Sequence, residues 1–189
     1  MLTGRIETGI RTMSINAYIY ALKKQSNCMK LFLVIFSLLT YSIVSAQTLP
    51  NLDAIKLEKA SDYKPAEPYA LQTANYILTT PFKKDDKDRN NALQFLGKWM
   101  NGTPDYAFTY ADMIDKIGND NEILAIFMVS KVKYVLENKA NAKDPKLVKL
   151  NAVTLLLDYC NRNSSTLRMT KQLKKLAAAK EKGELEQAL

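Results

Sequence analysis

The 189-residue chain contains no histidine, only two cysteines and one tryptophan, and few glycines. Without histidine, the commonest general base and the commonest metal ligand are both missing. The six glycines form neither a G-x-S-x-G elbow nor a phosphate-cradling loop, so nucleophilic hydrolysis and nucleotide binding lose their usual frameworks. Long apolar runs are also scarce. The longest begins at Leu31, behind Met29-Lys30, and ends at Val44-Ser45-Ala46. A positive start, an apolar stretch and small residues before a cut are the features of a secretory signal peptide, with cleavage expected after Ala46.

Met29 is then the expected start, and residues 1–28 read as a mis-assigned leader outside the fold. The alternative is an uncleaved anchor. Its 16 residues, Leu31 to Ala46, are interrupted by Ser37, Thr40, Ser42 and Ser45, whereas a spanning helix needs roughly 20 mostly apolar residues. A lipoprotein requires a cysteine just after the run, and residue 47 is glutamine.

Residues 47–189 hold 22 Lys and Arg against 18 Asp and Glu, a net +4 where the whole chain has +8. This mild basicity, with only Arg89, Arg162 and Arg168 as arginines, speaks against a nucleic-acid partner. Cys160 is the only cysteine in this part, which excludes an internal disulfide. It shares a helical stripe with Val153, Leu156 and Leu157 and is expected to be buried rather than reactive.

A lead-in, residues 47–67, precedes an all-α domain over 68–189 of about six helices in antiparallel hairpins, either a bundle or a short superhelix. The first helix runs from Pro68 to Thr79 and is stopped by Pro81; Ala70, Leu71, Ala74, Ile77 and Leu78 form its apolar face. The second follows Asp85 to Asp88 and ends at Asn101-Gly102. A third is predicted from Thr103-Pro104-Asp105 to Gly118, with Tyr110, Ile114 and Ile117 facing inward. The fourth opens at Asn119 with Glu122 as a capping box. Its run Ile123 to Val129 has no polar face, so other helices must surround it. The fifth begins at Asp144-Pro145 and looks equally central; the sixth starts near Ser165. Leu96-Gly97 and Trp99 do not follow the order or spacing of a tetratricopeptide repeat.

Over Asn91-Ala92-Leu93-Gln94-Phe95-Leu96-Gly97-Lys98-Trp99-Met100-Asn101-Gly102-Thr103-Pro104-Asp105-Tyr106, the chain resembles uncharacterised small exported all-α proteins of Bacteroidota. That resemblance implies export and a helical body, with no substrate, cofactor or catalytic residue to transfer.

Asp86-Lys87-Asp88-Arg89-Asn90 opens like a calcium loop, but Asn91 replaces the required glycine and Gly97 the closing glutamate, so a solvated turn capping the second helix is expected. Trp99 and Tyr106 flank a tight corner. Exposed, they would form a recognition surface; buried, they fill the core. Arg168, Lys171, Lys174 and Lys175 share one side of the last helix, where they could meet anionic headgroups, acidic polysaccharide or an acidic partner, or simply be solvated with support from the helix dipole. Asp112 with Asp115, and Glu122, are the remaining carboxylates for acid–base work.

The reading favoured by the sequence is an exported, secreted or periplasmic protein/peptide interaction module in the cell envelope, with possible contacts at Trp99, Tyr106, Arg168, Lys171, Lys174 and Lys175. No catalytic, cofactor or metal residue is assigned, and a membrane is involved only if the signal is retained. The alternatives are a carboxylate-only hydrolase and a carrier of a small apolar ligand between the fourth and fifth helices.

Overall fold

A computed structural model describes residues 49–189; the leader, signal and anchor expectations for residues 1–46 lie outside the described residues. Among the described residues there are eight α-helices and no strand. They are α1 (Ala60–Tyr63), α2 (Glu67–Thr79), α3 (Lys87–Gly102), α4 (Ile114–Ile117), α5 (Asn121–Glu137), α6 (Pro145–Arg162), α7 (Lys171–Glu181) and α8 (Leu185–Ala188). No helix among these residues is long and apolar enough to cross a membrane.

The fold is a bundle gathered round α5, which packs most extensively against α6 and α2 and also touches α3 and α4. The apolar run predicted this: Ile123, Ile126, Phe127, Val129 and Val132 are all buried, on every side of the helix. Fully burying a side chain of this size is worth roughly 1.5–3 kcal/mol, far more than any propensity difference along the helix. Against it, α6 lays Val148, Ala152, Val153, Leu156, Leu157 and Cys160, and α2 lays Ala70, Ala74, Ile77 and Leu78. Unlike α5, α6 is one-sided, since Leu147 is exposed.

The lead-in is part of the body. Leu52, Ile55, Leu57 and Tyr63 pack on the core, and Trp99 Nε1 donates a hydrogen bond to the Tyr63 carbonyl at 3.1 Å. The Tyr63 hydroxyl lies over Gly102, where a Cβ would come within 1.9 Å of it. Glycine is needed here because an aromatic ring sits directly on the backbone.

Three sequence expectations about helix starts are corrected. Thr103 does not open a helix: its N–H donates back to the Trp99 carbonyl, closing α3, and residues 103–110 form a non-helical segment with a bend at Pro104-Asp105. A cap is worth about 1 kcal/mol, whereas folding Tyr106 and Phe108 back onto Trp99 recovers part of the burial energy of two aromatic rings. Only a 3₁₀ turn, Ala111–Met113, and the short α4 remain of the predicted third helix. At the start of α5 the cap is Asp120, not Asn119; its Oδ1 accepts from the Glu122 and Ile123 N–H groups at 3.0 Å. Glu122 instead places Oε2 3.0 Å from Nη2 of the buried Arg89, close enough for an ion pair but not aligned as a hydrogen bond. Arg89, expected in a solvated turn, is buried with its guanidinium 4.8 Å from the Phe82 ring centroid. Asp86 nonetheless caps α3, accepting from the Arg89 N–H at 2.9 Å.

The last long helix begins at Lys171 rather than near Ser165. Asn163 is tied to the α2–α3 link, accepting from the Phe82 N–H at 2.6 Å, and its carbonyl turns the chain by accepting from Leu167 N–H. Thr170 Oγ1 then caps α7, accepting from Leu173 N–H at 3.0 Å while donating to the Ile117 carbonyl at 2.5 Å. This joint depends on Gly118, whose φ of +89° suits glycine and where a Cβ would lie 2.7 Å from Thr170 Cγ2. Gly118→Ala is expected to cost about 2–4 kcal/mol by combining left-handed strain with overpacking. Urea unfolding should show a lowered midpoint at unchanged slope, and an unaltered midpoint would refute the role given to this joint.

Candidate functional site

The non-helical strap over 103–110, with the 3₁₀ turn that follows it, is held against the bundle at three points. Near its start, Tyr106 Oη donates to Glu67 Oε1 at 3.4 Å, and Lys139 Nζ donates to Glu67 Oε2 at 2.5 Å. Further on, Lys131 of α5 donates to the Thr109 carbonyl at 2.7 Å. At the far end, Lys149 of α6 pairs with Asp112 at 2.8 Å. Tyr106, Phe108 and Trp99 form a ring cluster beneath, with centroids 5.8–6.3 Å apart.

Between this strap, α5 and the start of α6 lies a groove of about 1000 Å³. Its apolar lining includes Phe108, Met113, Phe127, Val135, Val148 and Leu150; Lys131, Lys143, Lys146 and Lys149 bring positive charge, and Asp105, Asp112 and Glu186 negative. The volume lies at the upper end of the range for small-molecule sites. A smaller hollow of about 340 Å³ lies between α3 and α5, where Phe108 and Tyr110 meet Leu93, Met100 and Met128.

Electrostatically, burial lowers the Lys131 ammonium below its usual value, opposed by Asp112 and assisted by Lys149. Lys149 holds the Asp112 carboxyl below its ordinary range, principally through their hydrogen bond. Burial raises Tyr106, reinforced by Glu67. An ionised Asp112 paired with a lysine is the opposite of a general acid, which needs a raised pKa. Asp115 is exposed on α4 and does not line the groove.

The sequence-nominated contacts do not meet at one place. Trp99 is fully buried, so it fills the core and offers no recognition surface; Tyr106 is half-buried and does line the groove. Lys171, Lys174 and Lys175 are exposed on α7, while Arg168 is exposed ahead of the helix, not on it. These lysines occupy the first half of α7, where the helix dipole repels cations, so the expected dipole support is absent; only Lys180 stands in the last turn. The groove residues missed from the sequence had two signals. Lys131 breaks an otherwise apolar run, and residues 105–109 alternate exposed and half-buried positions, with Tyr106 and Phe108 inward, as an extended chain does.

The chain matches no protein-family model, no curated protein and no solved structure.

Cys160 is buried in α6 as expected, and burial pushes its thiol from 9.0 up to about 12. Its folded pKa is raised, so its contribution to stability is complete below about pH 9 and is lost as pH climbs toward 12. Tyr76, Tyr106 and Tyr159, also raised, act in the same direction at higher pH. Stability measured by urea titration should therefore fall between pH 9 and 11. In Cys160→Ala the fall should be shallower, with a cost of about 1 kcal/mol at neutral pH; an identical pH slope in both proteins would contradict this account.

Proposed function

We propose that the protein is an exported binding module whose working site is the groove between the strap, α5 and the start of α6, and that it takes a small ligand with a largely apolar body. The observation that carries this reading is an apolar-floored groove of about 1000 Å³ with charged groups at its sides. Its position beside α5 and the start of α6 supports the carrier alternative, which the sequence reading set between its fourth and fifth helices. A protein or peptide partner has less support, because Trp99, its best aromatic anchor, is in the core. Hydrolysis by carboxylates has less still, because Lys149 keeps Asp112 ionised. Export rests on the pattern from Met29 to Ala46 and on the resemblance to small exported Bacteroidota proteins.

The neutral fluorophore N-phenyl-1-naphthylamine serves as an apolar probe. Saturable binding at one site is expected, and Ala107→Trp and Ala142→Trp, which place an indole at the groove, should each weaken it about tenfold or more without lowering the melting temperature. Absence of saturable binding, or indifference to both substitutions, would remove the groove as the site. For export, Edman sequencing of the protein recovered outside the cytoplasm should begin at Gln47, and a terminus at Met1 would overturn the signal-peptide reading.

A further inference from the structure

Resting on the groove as the binding site, we infer that its ligand is a singly charged carboxylate amphiphile, and that the ligand's carboxylate takes the place Asp112 holds against Lys149, with Lys131 beside it. The strap already presents one carboxylate to this part of the groove. Asp112 lies 2.8 Å from Lys149, and its side chain is 53% exposed, so the pair is open to water and to exchange. Such exposed pairs are worth about 0–1 kcal/mol, little enough for an incoming anion to displace.

Lys131 is the second half of the receptor. It sits 5.7 Å from the Phe127 ring centroid and spends one N–H on the Thr109 carbonyl. Among the described residues no carboxylate pairs with Lys131, Lys143 or Lys146 within ion-pair distance. Lysines and carboxylates are close to balance along the lining, so the positive site offered to an anion is local to Lys131 and Lys149. Asp105 and Glu186 also line the groove and disfavour a more highly charged head. Phe108 and Leu150, half-buried at the groove, supply the apolar wall along which the ligand's body lies, with Phe127, Val135 and Val148 behind them.

The test uses the purified protein and competes the bound naphthylamine probe with dodecanoate and with dodecanol, which share a chain and differ in charge. Dodecanoate should displace the probe about tenfold more tightly than dodecanol, the gain typical of a hydrogen bond to a charged group. Lys149→Met and Lys131→Met should each remove most of that preference, read as the ratio of dodecanoate to dodecanol displacement within each variant. Asp112→Asn should raise the ratio of dodecanoate to dodecanol affinity several-fold, which loss of a merely structural ion pair would not do. Equal displacement by the two competitors in the unaltered protein would overturn the carboxylate assignment and leave the apolar groove standing. If neither displaces the probe, the groove reading itself fails.

Discussion

Every other part of this structure leans on the burial of α5. A helix apolar on all sides cannot face water, so its free energy is recovered only when neighbours cover it. Here α2, α3, α4 and α6 do so, and they leave Ile123, Ile126 and Val132 without solvent contact. Short helices such as α1 and α4 are too brief to be stable alone and exist because this packed centre gives them a surface.

Helices alone do not cover α5. Along Phe127, Lys131 and Val135 the neighbour is an extended strap rather than a helix, and the mismatch between a thin chain and a helical groove leaves space. The strap keeps its position through side chains from three separate helices: Glu67 receives Tyr106, Lys131 reaches Thr109, and Lys149 pairs with Asp112. The polar groups that anchor the wall are thus the same ones that face the groove. Structure and recognition share residues here, which is why the lysines are placed within reach of an apolar cavity.

Much of the fold was legible because helix chemistry is local. Pro81 stopping α2, Asp86 capping α3, Pro145 in the first position of α6 and the apolar stripe of Ala92, Phe95, Leu96 and Trp99 all act within a few residues. The site was far less legible. Thr103-Pro104-Asp105 has every mark of a helix start, yet the aromatic rings of Tyr106 and Phe108 gain more from packing on Trp99 than the backbone gains from a helix. Arg89 looked solvated beside three aspartates because nothing local shows that Glu122 and the Phe82 ring would converge on it.

By itself the sequence determined the helical class, the central place of α5, the burial of Cys160 and the absence of any histidine-based chemistry. These follow from periodicity and composition, which need no knowledge of distant contacts. Only the tertiary structure decided that residues 103–110 are non-helical, that Trp99 is core, and that Lys131, Lys149 and Asp112 meet beside an apolar groove. Those outcomes depend on contacts between residues far apart in the chain, whose burial and charge energies outweigh the local preferences that a linear reading can see.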